Sequence, residues 1–281
     1  MTSGTLYLCA TPIGNLNDIS ARVLDTLREV DLIAAEDTRH SLGLLTHYGI
    51  RKPMISYHEH NKMERAEELV GRLRAGEKVA LVTDAGTPVI SDPGEVLVQA
   101  AKEAGIPVTS LPGPCALITA LTLSGLPARR FVFEGFLPMD KKERREVLAD
   151  LSTQRRTMIL YEAPHRLRRT LEELKDALGG TRRICLCREL TKIHEEAPLT
   201  SLQEALALYE KTEPRGEYVL VVEGKSEAAL EEERTLRWES RTPEEHLADF
   251  MTRGLTKKEA MKAMAEEFGI SKSEIYAKLN K

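Results

Sequence analysis

Four segments rich in glycine and proline are the parts of this sequence best suited to chemistry. They are TPIGN at residues 11–15, DAGTP at 84–88 with SDPG at 91–94, PGPCA at 112–116, and EAPHR at 162–166. Glycine lets the backbone approach a ligand closely, and proline fixes the shape of a loop in advance. Each segment alone is also consistent with an ordinary tight turn. Because all four follow apolar runs, together they predict a rigid cradle that binds a ligand through backbone groups.

Several well-known binding and catalytic motifs are absent from the sequence. There is no G-x-x-x-x-G-K-[ST], no G-x-G-x-x-G after the first apolar run, no G-x-S-x-G and no H-E-x-x-H. An apolar cleft lined by backbone fits a neutral or zwitterionic nucleoside better than a polyphosphate. The cysteines, at positions 9, 115, 185 and 187, lack CxxC spacing, so neither a bound metal nor a disulfide framework is expected.

The elements that must position these segments alternate between strands and helices. Apolar runs at residues 6–10, 32–35, 79–83 and 108–111 are separated by helical patterns. This alternation predicts an α/β domain over residues 1–123 with a buried, mostly parallel sheet. After a hinge at SGLPARR (124–130), longer excursions between apolar runs predict a second α/β domain over residues 124–225 with a mixed sheet.

The last part of the chain has a different composition. Residues 223–241 are highly charged and resemble a linker, and three capping boxes then begin at Thr242, Thr256 and Ser271. They predict a small C-terminal segment of three helices over residues 242–281, with the last two in a helix-turn-helix arrangement. A nucleic-acid-binding module and a simple helical cap explain this pattern equally well.

Eight motifs occur in order between residues 6 and 222. They are TPIGNLNDISARVL, AAEDTRH, YHEHN, LVTDAGTPVISDPG, LPGPCALITAL, FEGFLP, YEAPHRL and RELTK. Together they resemble the tetrapyrrole methylase superfamily and, more narrowly, the bacterial ribosomal RNA small-subunit methyltransferase I family. The resemblance implies two α/β domains of the tetrapyrrole-methylase type with S-adenosylmethionine bound between them, and a homodimer. It also implies methyl transfer to the ribose 2′-hydroxyl of a cytidine in the decoding region of small-subunit (16S) rRNA.

The resemblance also implies which residues bind the cofactor. They are Pro12, Gly14, Asp84, Ala85, Gly86, Thr87, Pro88, Ser91, Cys115, Ala116, Tyr161, Ala163, Pro164 and Glu217. Cys115 is expected to be a small residue that packs against the ligand at a helix start, not a nucleophile.

A ribose hydroxyl reacts well only when a base removes its proton, and a positioned base adds about 10²–10⁴-fold. The loop residues that could supply this base are Glu36, Asp37, His58, His60, His165 and Lys192. Glu36 and Asp37 are equally suited to capping the helix that follows them, and the histidines to ordinary loop hydrogen bonds. The sequence does not choose among these candidates.

The charge balance limits how RNA can be bound. The 281 residues are 42% hydrophobic and 30% charged, with a net charge of −4, which is ordinary for a soluble protein and gives no overall attraction to nucleic acid. RNA phosphates must therefore meet local cations. The candidates are Arg39, His60, Lys141, Lys142, Arg144, Arg145 and Arg166, although many such side chains are merely solvated.

Neither a signal peptide nor an apolar run of membrane-spanning length is present, so a cytoplasmic location is expected. The expected partners are small-subunit rRNA, free or in the assembled 30S subunit, and a second copy of the chain. Two rival hypotheses remain. One is a methyltransferase of the same fold that acts on a tetrapyrrole, and the other is a non-enzymatic nucleic-acid-binding protein that uses the terminal helices.

Overall fold

The chain divides into two compact units, Met1–Glu223 and Gly224–Lys281. A computed structural model describes residues 3–279, so the outermost residues of the predicted domains 1–123 and 242–281 lie outside the described part. No helix within residues 3–279 has the length and hydropathy needed to cross a membrane.

The first unit begins with a five-stranded parallel sheet in the order β3-β2-β4-β1-β5. Its strands are β1 (Leu6–Cys9), β2 (Leu32–Ala35), β3 (Met54–Ser56), β4 (Val79–Val82) and β5 (Val108–Leu111). Its helices are α1 (Ala21–Glu29), α2 (Thr38–His47), α3 (Lys62–Arg74), α4 (Gly94–Glu103) and α5 (Ala116–Leu123). The predicted parallel sheet is confirmed, and the short edge strand β3 is an addition to it.

Both faces of this sheet are covered, which is why its central strands are apolar throughout. Every residue of β2 and β4 is buried. Leu32 and Leu81 face a core formed with α3 and α4, whereas Ile33 and Val82 face a core formed with α1 and α2. Successive side chains of a strand point to opposite faces, so one apolar run supplies two cores.

The rest of the first unit is a five-stranded sheet in the order β6-β7-β10-β8-β9. Its strands are β6 (Phe131–Phe136), β7 (Thr157–Glu162), β8 (Arg183–Arg188), β9 (Leu199–Ser201) and β10 (Tyr218–Val222). Its helices are α6 (Lys141–Thr153), α7 (Pro164–Leu178) and α8 (Leu202–Lys211). Only β6 and β7 pair in parallel, and the other described pairs are antiparallel, so the predicted mixed sheet is confirmed.

The two sheets share a core through α5. Leu117 and Leu121 of this helix pack in one cluster with Ile159 of β7 and Val221 of β10. Helix α5 precedes the predicted hinge, yet it contacts the sheet that follows it. The boundary between residues 1–123 and 124–225 therefore stays a prediction.

The second unit consists of α9 (Glu227–Glu239), α10 (Pro243–Thr252), α11 (Lys257–Phe268) and α12 (Lys272–Leu279). The three predicted capping boxes are formed. The predicted linker at residues 223–241 is wrong, because most of it is the helix α9. Trp238 of α9 is buried with Phe250 and Phe268. A charged helix with one aromatic anchor is hard to distinguish from a linker by composition alone.

Candidate functional site

A cavity of about 370 Å³ lies where the strand ends of the two sheets of the first unit meet. It is lined from the first sheet by residues that follow β1, β4 and β5, and from the second by residues at or next to the ends of β6, β7, β8 and β10. The lining residues are Ile13, Ala85, Gly86, Thr87, Ile90, Cys115, Ala116, Phe136, Tyr161, Glu162, Ala163, Pro164, Leu190, Glu217, Tyr218 and Val219. The volume falls within the range of about 300–1,000 Å³ that is usual for ligand pockets.

Hydrogen bonds join the loops of the first sheet into one cradle. Thr11 N donates to Gly86 O at 2.9 Å, and Gly86 N donates to Thr11 O at 3.1 Å. The Thr87 hydroxyl donates to Pro114 O at 2.9 Å. Gly86 has φ +88°, and a Cβ there would lie 3.2 Å from Ile13 Cγ2. The left-handed backbone conformation favours glycine at this position, and a Cβ would also require Ile13 to shift by a few tenths of an ångström.

Tyr161 closes the cavity from the second sheet. Its hydroxyl accepts a hydrogen bond from Leu117 N at 3.2 Å, in the first turn of α5. Its ring packs edge-on against Phe133 and Phe136, with centroids 5.0 and 5.7 Å away. Burial raises the pKa of Tyr161 to about 12. The phenol is neutral at physiological pH. The packing of its ring against Phe133 and Phe136 gives the cavity an aromatic wall.

Two strained loops flank the cavity. Val89 and Ser91 have φ of 81° and 61°, and Glu189 and Thr191 have φ of 52° and 65°. The Asp92 carboxylate holds the first loop by accepting from Val89 N and Gly94 N, each at 2.6 Å. Such strain persists only where surrounding contacts impose it, and it is frequent at functional sites.

Lys192 links the second strained loop to the cavity wall. Its ammonium donates to Glu189 Oε1 and to Glu217 Oε2, both at 2.9 Å. Burial alone lowers the pKa of Lys192, but the hydrogen bonds and charges of the two carboxylates outweigh it, so the pKa is raised. A protonated amine has no free electron pair, which disfavours Lys192 as a base. The Glu217 side chain remains 77% exposed and can accept hydrogen bonds from ligand hydroxyls.

Comparisons with known proteins show the family to which this chain belongs. A profile of the family described as Tetrapyrrole (Corrin/Porphyrin) Methylases matches residues 5–206. A protein of Synechocystis sp. named ribosomal RNA small subunit methyltransferase I is 49% identical over 273 residues, which cover 97% of this chain and 96% of that protein. The chain belongs to the ribosomal RNA small subunit methyltransferase I family, within the tetrapyrrole methylases.

Solved structures of two other proteins share the fold of this chain. Diphthine synthase matches with a TM-score of 0.62 and 16% identity, over 79% of this chain and 91% of that chain. The uroporphyrin-III C-methyl transferase from Thermus thermophilus complexed with S-adenyl homocysteine matches with a TM-score of 0.55 and 20% identity, over 78% of this chain and 97% of that chain. The expected tetrapyrrole-methylase fold is thus confirmed.

Many of the cofactor residues implied by the family resemblance line the cavity. They are Ala85, Gly86, Thr87, Cys115, Ala116, Tyr161, Ala163, Pro164 and Glu217. Pro12, Gly14, Asp84, Pro88 and Ser91 lie in the same loops outside the lining. Asp84 instead accepts from Asp37 N at 3.1 Å. Cofactor binding by both groups stays a prediction.

The apolar part of the lining was missed by the sequence reasoning. Ile13 and Ile90 are direct neighbours of loop residues that were singled out, Leu190 belongs to the RELTK motif, and Phe136 belongs to the FEGFLP motif. The available signal was an apolar side chain within a motif or loop already recognised.

None of the residues predicted as candidate bases is among those that line the first cavity. Glu36 accepts from the Thr83 hydroxyl at 2.8 Å. Asp37 caps α2 by accepting from Arg39 N at 2.8 Å, so its helix-capping alternative is borne out. His58 lies 3.3 Å from Asn61 Nδ2, and the ring of His60 is 6.0 Å from that of His58. His165 is exposed in the first turn of α7, directly after the cavity-lining Pro164.

The predicted RNA-binding cations differ in accessibility. Lys141, Lys142 and Arg145 are exposed on α6, and Arg39 and His60 are exposed near the first sheet. Arg144 requires a correction, because it is only 3% exposed and donates to Glu173 and Thr170 of α7. Arg166 donates to Leu137 O at 2.7 Å and pairs with Glu162, so its guanidinium is also engaged within the chain.

Metal chemistry has no visible basis in the described residues. Within residues 3–279, no group of three or more His, Cys, Asp or Glu side chains is arranged to hold a metal ion. The four cysteines are free thiols.

Proposed function

We propose that this chain is an S-adenosylmethionine-dependent methyltransferase that methylates the ribose 2′-hydroxyl of a cytidine in the decoding region of small-subunit rRNA. The observation that carries the proposal is the cavity built from the glycine- and proline-rich strand ends of both sheets, in a chain of this family. We further propose that it acts in the cytoplasm as a homodimer. The related fold with bound S-adenyl homocysteine supports the choice of cofactor.

The lining of the cavity fits this cofactor. Phe136 and Tyr161 offer aromatic surfaces for an adenine ring, and the Glu217 carboxylate offers an acceptor for ribose hydroxyls. Residues 85–87 offer backbone groups to the methionine part, and Gly86 allows close approach there. The methionine part of the cofactor is zwitterionic and the sulfonium adds one positive charge, which suits a lining whose charged side chains are the carboxylates of Glu162 and Glu217.

Positioning is the main contribution of the chain to the reaction. When bound, S-adenosylmethionine supplies a methyl group on a sulfonium, which is already electrophilic. Rigid loops that hold both reactants in line can supply about 7–11 kcal/mol of barrier reduction. Among the predicted bases, we retain His165, because it is exposed and adjoins the lining residue Pro164.

The cofactor proposal is tested by calorimetry on the variant Gly86→Ala. We expect the wild type to bind S-adenosylmethionine and Gly86→Ala to bind about tenfold more weakly, because the free loop of the variant relaxes from φ +88° and restoring that conformation on binding costs an L-residue about 1–2 kcal/mol. Gly43→Ala is the matched control, since a Cβ there would meet no described atom within 4 Å. Absence of binding by the wild type would overturn the enzyme assignment.

The substrate proposal is tested with labelled cofactor. Small ribosomal subunits that lack the modification and a uroporphyrinogen are offered in parallel, and the product nucleoside is identified by mass spectrometry. We expect the label in 2′-O-methylcytidine of the rRNA. Label in the tetrapyrrole alone would favour the rival methyltransferase, and label at a base would contradict the 2′-hydroxyl as acceptor.

A further inference from the structure

A second cavity of about 700 Å³ adjoins the first. It is lined by Gly14, Asn15, Leu16, Asn17, His47, Thr191, Lys192, Ile193 and His194. Ile13 and Leu190 line the first cavity, and the residues that follow them, Gly14 and Thr191, line the second. The ion pair between Lys192 and Glu217 also joins the two linings. A ligand in the second cavity is therefore next to whatever the first one holds.

The wall between the cavities is tightly built. A Cβ at Gly14 would lie 2.6 Å from Lys192 Cγ and 2.8 Å from the Thr191 hydroxyl. Any side chain at position 14 would therefore displace Lys192 or Thr191. The buried Thr191 hydroxyl has no hydrogen-bond partner within residues 3–279. A buried polar group without a partner is rare enough to require an explanation.

The loop at residues 14–17 is held in place by Tyr48, the residue that follows α2. The Tyr48 hydroxyl donates to Leu16 O, and the ring of His47 packs edge-on against that of Tyr48, with centroids 4.8 Å apart. Within the loop, Asn17 N donates to the side chain of Asn15 at 3.1 Å. The cavity thus presents amide and imidazole groups from a preorganised backbone.

Ile193 stands at the rim and is 97% exposed. A β-branched apolar side chain gains nothing from full contact with water. It follows Thr191, whose φ is 65°, and Lys192, whose ammonium donates to Glu189 and Glu217. The chain therefore holds an apolar side chain outward beside a polar cavity.

We propose that the second cavity receives the acceptor nucleotide turned out of a single-stranded RNA segment, and that Ile193 packs against the neighbouring base. This inference rests on the proposed function. Amides and imidazoles can hydrogen-bond the edges of a base, and unstacked bases are the usual target of sequence-specific RNA recognition. An apolar side chain inserted beside a base stabilises the extruded arrangement by replacing lost stacking.

The charges favour a nucleoside over a tetrapyrrole in this cavity. Lys192 is the only lysine or arginine among the described lining residues, and Glu189 and Glu217 already pair with it. The three side chains together carry one net negative charge. A macrocycle with several carboxylates would be repelled here, whereas the base and the ribose of a nucleotide are uncharged and only its backbone phosphates carry charge.

The test compares Ile193→Asp with Leu208→Asp. Leu208 lies in α8 and is 51% exposed, so both substitutions add one carboxylate at an exposed apolar position. Methyl transfer to small ribosomal subunits is measured with labelled cofactor, and S-adenosylmethionine affinity is measured by calorimetry. We expect Ile193→Asp to raise the KM for subunits about tenfold, a factor of the order that one stacked base contributes. Cofactor affinity should be unchanged, and Leu208→Asp should match the wild type.

The outcomes separate this inference from the proposed function. If the wild type does not methylate subunits, the proposed function fails. If the wild type is active and Ile193→Asp has an unchanged KM, this inference alone is overturned. It is also overturned if Ile193→Asp impairs methylation of a uroporphyrinogen and not of RNA, because the cavity would then belong to a macrocycle.

Discussion

The charged residues predicted as candidate bases mostly form hydrogen bonds or ion pairs with other residues of the chain. Asp37 caps α2 and pairs with Arg39, Glu36 accepts from Thr83, and Lys192 binds two carboxylates. Residue type alone made each of these a candidate base. The hydrogen-bond partners give each of them a structural role and leave the cavity lined mainly by apolar side chains and backbone.

Asp37 provides a prediction about pH. The hydrogen bond and charge of Arg39 lower its pKa to about 2. A carboxyl whose folded pKa lies below its unfolded value of about 3.9 stabilises the fold above that value, and the contribution is lost as the pH falls towards about 2. Asp37→Asn keeps a capping side chain but removes the charge. The wild type should therefore melt at a higher temperature than Asp37→Asn near neutral pH, and thermal melts should show this difference closing on acidification. A difference independent of pH would contradict the assignment.

At the scale of elements, buried polar contacts hold α6 and α7 together behind the cavity wall. Arg144 of α6 donates to Glu173 at 2.5 Å and to Thr170 at 2.7 Å, both in α7. Thr170 in turn donates to Glu162, which lines the cavity. Lys141, Lys142, Arg144 and Arg145 were predicted to bind RNA, but Arg144 points into the fold.

Substitution of Arg144 should therefore lower stability, whereas substitution of Arg145 should alter RNA binding. Arg144→Ala removes the buried partner of Glu173 and should lower the free energy of unfolding by about 2–3 kcal/mol. The loss is smaller than for a fully buried pair because Glu173 is partly exposed and still accepts from Arg169. Arg145→Ala should change stability by less than about 0.5 kcal/mol and reduce the salt dependence of RNA binding. Urea unfolding and binding titrations at several salt concentrations measure the two effects. An unchanged salt slope for Arg145→Ala would remove α6 from the RNA surface.

At the scale of the whole molecule, the residues that line both cavities belong to the first unit. The second unit has its own core, in which Trp238, Phe250, Met264, Phe268 and Ile275 are buried. The proposed cofactor site and the terminal helices are therefore parts of separately packed units.

A chain ending at Glu223 should fold and bind S-adenosylmethionine with the affinity of the full-length protein. The physical reason is that the truncation removes no residue of the cavity lining. Calorimetry on both chains, with circular dichroism to verify folding, measures this. The non-enzymatic rival predicts instead that neither chain binds the cofactor. Loss of binding in a folded truncated chain would show that the second unit contributes to the site.

Local signals in the sequence were sufficient for most of the elements, although not for β3 and α9, and for much of the cradle. Uninterrupted apolar strands such as 79–82 predicted a parallel sheet because both faces must be covered, and the boxes at Thr242, Thr256 and Ser271 predicted helix starts because the capping partners are three residues apart. The loop at 84–88 was recognised because glycine and proline constrain the backbone wherever they occur.

Features that depend on contacts between residues distant in sequence could be seen only in the tertiary structure. It buried Arg144 against α7, packed α5 on the second sheet, made α9 part of a helical core and joined Ile13 and Phe136 in one cavity. Each outcome depends on residues distant in sequence, and the energy of a charged or apolar side chain depends on whether such residues exclude water from it. Composition and spacing specify what a side chain can do, and packing decides which of those possibilities it realises.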